Sequence, residues 1–465
     1  MYIRTLKIQN LKLLKDFPLE FTRPDGSLRM WTALIGMNGT AKTSILQAIA
    51  LAAAGRRHVN TLARPIARHL RDRRASEDVE VRIEATFSFS DIAHRNEGLF
   101  PGLPTPYPPN LHLRSKVTLP PGSSLLEANS AYENTVTAPA DGIDPLDLAR
   151  DQHKNHWFVA GYGVARHLPD ASTRPTLDFP EVDRLMPLFQ PQAALTSTAF
   201  ANYFGAEGVE DVEDAEDASV NKANMYSRML KAALFNVEEL LPHLDDLELR
   251  GRGGVRNAGD LQERARFVQR FGTKDHKIPA VALSHGYQST IAWIADLVGH
   301  VVLEAQMELE PADMCGLVLV DELDLYLHPT WQVVLVSALR KTFPRMQFVV
   351  TTHSPLVLAA LDPEKDQVVR LEQDPETGDI FRAEVDEDPR MLTETELLRL
   401  YFGLGDIHPG EVGRLLREYR YLASNPYRTD ADDRKLSEWR AHLAQEGVDP
   451  HFEPVARKTF VRRTG

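Results

Sequence analysis

Residues Gly36-Met37-Asn38-Gly39-Thr40-Ala41-Lys42-Thr43 put two glycines, a lysine and a hydroxyl into one short segment. A buried-strand pattern, Trp31-Thr32-Ala33-Leu34-Ile35, precedes it, and an Ala- and Leu-rich helical pattern from Thr43 to Ala54 follows, closed by Gly55. A loop between strand and helix offers successive backbone N–H groups and a helix N-terminus, which together hold phosphate. Lys42 would reach the β- and γ-phosphates of ATP, and the Thr43 hydroxyl would hold Mg²⁺. Gly36, Asn38, Gly39, Thr40, Ala41 and Ser44 complete the cradle. Ala41 stands where such loops usually carry glycine. A left-handed backbone there would cost about 1 kcal/mol, and a helical one would cost little.

Three further segments carry chemistry. Leu317-Val318-Leu319-Val320 ends in Asp321-Glu322, as a buried parallel strand does at its ligand-facing carboxyl end. Asp321 would bind Mg²⁺ directly or through water, and Glu322 would polarise the attacking water. Solvated acids at a strand end are the plainer reading of the same run. Ser284 and Gly286, in Leu283-Ser284-His285-Gly286-Tyr287-Gln288-Ser289, open an apolar helix over 290–302. They make a second anion-binding end or an ordinary N-cap. His353 ends another buried strand, Phe348-Val349-Val350-Thr351-Thr352, in reach of a γ-phosphate or a water; Asp324-Leu325-Tyr326-Leu327-His328-Pro329 lies between.

Together these segments resemble the ATP-binding-cassette type of P-loop ATPase. The resemblance implies a Walker A loop at 36–43, a signature at 283–289, a Walker B strand at 317–322, a D-loop near Asp324 and a switch histidine at His353. The Ile3–Asn10 strand and the Leu-His-Pro after the acids look like the soluble branch, with RecF, SMC-type heads and OLD-like ATPases. Within it, the signature and the insert length resemble ATPases of bacterial anti-phage systems such as Septu, PARIS and some retron modules. The family has a Gln-bearing loop that finds no convincing place here. OLD-type nucleases carry a C-terminal nuclease domain, and residues 362–465 hold no matching pattern; Glu384-Val385-Asp386-Glu387-Asp388 is the nearest and reads as a solvated turn.

The resemblance implies a head-to-tail homodimer that sandwiches two ATP molecules. Glu322 and His353 would act in cis, and Ser284 and the Gly286 N–H in trans. It implies an ATPase acting as sensor or regulator in anti-phage defence, with a separate effector, a nuclease. A RecF-like DNA-repair ATPase and an ATP-binding scaffold with little hydrolysis are the alternatives.

The elements that must position these residues give an α/β fold with a mixed sheet, a large insert and a helical C-terminal region. The organisation expected is 1–55 as the first part of the head, 56–280 as insert and second lobe, 281–370 as the rest of the head, and 371–465 as mainly helical. Strands are expected at 2–22, 80–89, 111–119 and 157–163, and helices at 222–242, 260–270, 396–403, 410–423 and 434–446.

The chain has 465 residues with 53 Lys+Arg against 66 Asp+Glu, a net charge of −13. That balance disfavours a protein wrapped wholly around nucleic acid, but the charge is uneven. Acids gather at 206–217 and arginines at Arg56–Arg74 and Arg250–Arg270, which are candidate DNA or RNA contacts or solvated helical faces. The single Cys315 excludes an intrachain disulfide framework and a multi-Cys zinc site. With no signal-peptide pattern and no apolar run long enough to span a bilayer, a cytoplasmic chain without a membrane partner is expected.

Overall fold

The computed structural model describes every residue except 73, 75–78, 90–111, 134–141, 143, 153–156, 167, 169–178, 191–194, 196–217, 236–240, 242, 250–264, 272–273, 306–312, 386, 404–409, 451 and 458–465. The chain divides into two compact units, Met1–Leu397 and Leu398–Gly465.

The first unit is built on two large sheets. Tyr2–Leu11 (β1) and Leu14–Glu20 (β2) alternate apolar and polar residues, so one face of each is buried. With Val81–Ser88 (β4), His112–Leu119 (β5) and Glu127–Glu133 (β6) they form an antiparallel sheet in the order β2-β1-β4-β5-β6. The second sheet holds the chemistry. Trp31–Gly36 (β3), Phe158–Tyr162 (β7), Gly316–Val320 (β11) and Met346–Thr351 (β12) are buried along their whole length, as strands covered on both faces must be. The order is β14-β13-β3-β12-β11-β7, parallel from β13 to β7, with Gln367–Gln373 (β13) and Ile380–Ala383 (β14) at one side. β12, which runs into His353, therefore lies between β3, before the glycine loop, and β11, before the acid pair.

Gln347 joins the two sheets. It is wholly buried in β12, accepts from Ile3 N–H at 2.8 Å and donates to the carbonyls of Ile3 and Arg29 at 3.1 and 3.0 Å. Beside it Trp31 and Phe348 stack at 4.4 Å.

Lys42–Ala63 (α1) packs into this core. The expectation that Gly55 ends the helix is half met. Gly55 has a left-handed φ of 72°, which breaks the helix, and a second helical stretch continues to Ala63. That stretch carries part of the basic segment. Arg56, Arg57, Arg64 and Arg68 are exposed, whereas Arg71 donates to the carbonyls of Pro120 and Ser123 and Arg74 pairs with Asp72 and Asp379.

The rest of the insert holds Pro145–Gln152 (α2), Ala218–Phe235 (α3) and a three-stranded sheet of Asp246–Leu249 (β8), Ala265–Phe271 (β9) and Lys274–Pro279 (β10), ordered β10-β9-β8. The helix expected at 260–270 is corrected over its described part: β9 is strand. Its backbone pairs on both sides, with Phe267 opposite both Leu247 and Ile278, and a chain rich in Phe and Val suits that half-buried pleat. Arg270 there pairs with Asp275. Residues 250–264, most of the second basic stretch, and the acidic 206–217 lie outside the described residues.

His285–Ala305 (α4), Pro329–Thr342 (α5) and Pro355–Ala359 (α6) flank the parallel sheet. The expected borders 55/56 and 370/371 fall inside α1 and β13. β7, from the expected insert, is an integral strand of the parallel sheet. Glu394–Leu400 (α7) leads out of the first unit. The second unit pairs Glu411–Ser424 (α8) with Asp430–Gln445 (α9) around Tyr419, Ala423, Leu436 and Leu443. Thr429 and Asp432 close a reciprocal capping box on α9. Among the described residues no helix is long and apolar enough to cross a membrane.

Candidate active site

The loop after β3 turns tightly because Gly36, the last residue of the strand, has no side chain. A Cβ on Gly36 would lie 2.5 Å from the Leu371 carbonyl of the adjoining β13 and 2.7 Å from Thr40 Oγ1. Ala41, the last residue before α1, has φ 60° and ψ 18°. The left-handed case therefore holds, with its cost of about 1 kcal/mol. Lys42 turns back over the loop and donates to the carbonyls of Gly36 at 2.8 Å and Met37 at 3.0 Å. Burial pulls its pKa down, while Asp321, Glu322 and Asp324 push it up.

From α1 a chain of hydroxyls and one carboxylate crosses the sheet. Thr43 Oγ1 donates to Asp321 Oδ2 at 2.8 Å, and Thr351 Oγ1 donates to Asp321 Oδ1 at 2.7 Å. The Glu322 N–H donates to the same Thr351 hydroxyl at 2.7 Å. Next to it Asp324 Oδ1 accepts from Thr352 Oγ1 at 2.6 Å and from the His353 N–H at 3.1 Å. The three strand ends thus fix one another, and each contact joins residues far apart in the chain.

Asn38, Gly39, Thr40, Ala41, Lys42, Thr43, Ser44, Asp321, Glu322 and His353 line one pocket of about 420 Å³. Sequence reasoning missed one member. Lys12, in the tight turn between β1 and β2, lines the same pocket and donates to Ser44 Oγ at 2.8 Å. Its only sequence signal is a lysine at a hairpin tip, which nothing local ties to phosphate.

Ser284 and Gly286 are not brought into that pocket. They line a second one of about 950 Å³ with His243, Tyr326, His328 and Trp331. Gly286 is held there by close packing, since a Cβ would lie 2.6 Å from the Tyr326 carbonyl. The segment Asp321–Leu327 runs from one pocket to the other. Of the nuclease-like acids Glu384–Asp388, Asp386 lies outside the described residues, and Asp388 accepts from the Arg390 N–H at 2.9 Å and pairs with its guanidinium. Among the described residues no three His, Cys, Asp or Glu gather as a metal group.

Residues 199–359 match the family described as "AAA domain, putative AbiEii toxin, Type IV TA system". The chain is 33% identical to the Retron Ec83 probable ATPase of Escherichia coli over 38% of this chain and 30% of that protein. It is 25% identical to the Septu protein PtuA of Bacillus mycoides over 91% of this chain and 48% of that one. The chain thus spans about half or less of these relatives' length. An SMC head of Pyrococcus furiosus, solved with the C-terminal domain of ScpA, superposes over 83% of this chain and 96% of its own at 14% identity and a TM-score of 0.46. The described residues form an α/β P-loop NTPase fold with a helical C-terminal region.

Proposed function

We propose that this chain binds and hydrolyses ATP, closes around it as a head-to-tail pair, and acts as sensor or regulator in anti-phage defence with a separate effector, a nuclease. The observation that carries the ATPase part is the Thr43–Asp321–Thr351 chain, which sets Glu322 beside the loop bearing Lys42. The defence part rests on the likeness to a Septu protein and a retron ATPase.

Loop N–H groups and the start of α1 receive the phosphates, and Lys42 trades the Gly36 and Met37 carbonyls for phosphate oxygens. Lys12 adds a second positive charge on the Ser44 side of the pocket. Thr43 and Asp321 offer a hydroxyl and a carboxylate 2.8 Å apart, hard oxygen donors suited to Mg²⁺. A magnesium ion needs few protein ligands where phosphates and waters supply the rest, so the pair fits it. When bound, it would neutralise charge developing on the phosphate oxygens. Glu322 orients the attacking water and takes its proton, and His353 approaches the same water or the γ-phosphate.

Ser284 and Gly286 lie in a different pocket from Lys42. A second copy, turned head to tail, would bring them to the phosphate that this copy's loop leaves open. ATP would then link association to hydrolysis. The test is hydrolysis and solution mass with and without Mg-ATP, for wild type and Glu322→Gln. Trapping of an ATP-dependent dimer by the variant, with turnover down about 100-fold, is expected. Equal inertness of both proteins would remove the enzyme claim.

A second reading has its own observation. Ala41 is held left-handed and Lys42 sits on the loop's carbonyls, which suits an ATP-binding scaffold that hydrolyses little. Tight ATP binding with no turnover in wild type selects it.

A further inference from the structure

Arg166 has no part in the chemistry above, yet it is a cation 1% exposed beside the catalytic acids. It lies four residues beyond β7, the strand beside Walker B. Its Nη2 donates to the carbonyl oxygen of Glu322. The guanidinium carbon stands 6.0 Å from the ring centre of Trp293 on α4. Among the described residues Nε and Nη1 have no hydrogen-bond partner. Burial pulls its pKa down to about 10, and Asp321, Asp324 and Glu322 act to raise it. A buried, incompletely paired guanidinium costs several kcal/mol, so something must offset it.

What it holds is itself strained. Glu322 has φ 48°, a left-handed conformation that costs a residue with a Cβ about 1–2 kcal/mol. Two other elements hold that residue in place. Its N–H donates to Thr351 Oγ1 of β12, and its carbonyl accepts from Arg166 and from the Leu325 N–H at 3.0 Å. Without the clamp, φ is free to relax to ordinary values, and the Cα–Cβ bond then points elsewhere.

We propose that Arg166 is a positioning residue: its bond to the Glu322 carbonyl locks the left-handed turn that aims the Glu322 carboxylate into the P-loop pocket. The clamp rests on geometry alone; its consequence for turnover rests on the ATPase reading above. Arg166 is then required for turnover and dispensable for ATP binding, although it touches no substrate.

The experiment uses the full chain as wild type, Arg166→Met, Arg166→Lys, Glu322→Gln and the Met/Gln double variant. Single-turnover Mg-ATP hydrolysis, binding of a fluorescent ATP analogue and residue-resolved amide exchange are measured on each. Arg166→Met is expected to slow hydrolysis about 30–100-fold while analogue affinity changes less than about threefold. Arg166→Lys, which keeps a donor, recovers about a fifth or more of the lost rate. In the Glu322→Gln background Arg166→Met adds less than about a threefold loss, because the group it aims is gone. Amide protection at Leu323 and Leu325 falls about tenfold in Arg166→Met, with β11 unchanged. An equal loss in both backgrounds, or joint loss of affinity and β11 protection, overturns the proposal. If wild type and Glu322→Gln are both inert, the ATPase reading fails and amide exchange still decides the clamp. Unchanged protection at Leu323 and Leu325 then overturns it.

Discussion

The P-loop pocket and the signature pocket share one turn but are built in opposite ways. In the first, the lysine and the first acid are fixed by partners within the same chain: Lys42 by two loop carbonyls, and Asp321 by Thr43 and Thr351. In the second, Ser284 and Gly286 stand in a wider space beside Tyr326, which is 60% exposed. As proposed above, one pocket would be a half-site that needs only a nucleotide, and the other would offer the start of α4 as an anion-binding end. On the proposed reading, that difference would let one chain bind ATP alone yet need a second copy to use it.

The sharpest way to break that comparison is at its finished half. Lys42→Met removes the cation that meets the phosphates, and ATP affinity should fall about 100-fold or more by calorimetry. Retained affinity would mean that Lys12 and the loop amides suffice. At the open half, Ser284→Arg fills the space a phosphate would enter. Turnover should drop about 30-fold while monomer ATP affinity changes less than about threefold. A matching loss of affinity would show that the two pockets are not separate.

A third test uses α4, whose N-terminus carries the signature. Asp296, buried in its middle, accepts from Tyr162 OH at 2.9 Å and lies 3.6 Å from His300, with the Arg184–Glu304 pair one turn on. Burial lifts the Asp296 pKa to about 8 and lowers that of His300 to about 3. Between pH 6.5 and 8 the unfolded chain has lost the Asp296 proton and the folded chain keeps it, so stability falls as pH rises. About 2 kcal/mol should be lost over that window, read from denaturant midpoints, and Asp296→Asn should flatten the slope. Below pH 6.5 unfolded His300 takes up a proton that the folded state refuses. That opposes the Asp296 effect, and the profile should level off. An unchanged slope in the variant would exclude Asp296 as its source.

The smallest effect is expected at Ala41. Glycine there relieves the left-handed cost but adds unfolded-state freedom, so a net gain of up to about 1 kcal/mol is expected from thermal unfolding. A loss instead would mean that the Ala41 methyl, which packs against the core, matters more than the backbone.

Much of the first pocket is legible in the sequence because its parts are local. A run of β-formers ending in Asp321-Glu322 needs no partner to be recognised, nor does a glycine loop between strand and helix. The spacing gave the strands at 31–35, 317–320 and 348–352 and also the tail helices, although the one expected at 434–446 begins earlier, at Asp430, behind the Thr429 cap. The failures share a cause. Residues 265–270 read as helix because nothing local records the two strands that pair with them. Lys12 drew no notice as a site residue and Arg166 was given no role, because each meets its target only through tertiary packing, at 32 and 156 residues' separation.

The sequence by itself determined the glycine loop between strand and helix, the acid pair at a strand end, the strand that runs into His353 and the fold class, since loop chemistry and strand periodicity are properties of neighbouring residues. Only the tertiary structure decided that β12 separates the two Walker strands, that Ala41 and Glu322 are held left-handed, and that the signature opens on a different pocket from Lys42. Those depend on which distant hydroxyl, carbonyl or guanidinium packs against a given backbone, and long-range packing leaves no periodic trace in the chain.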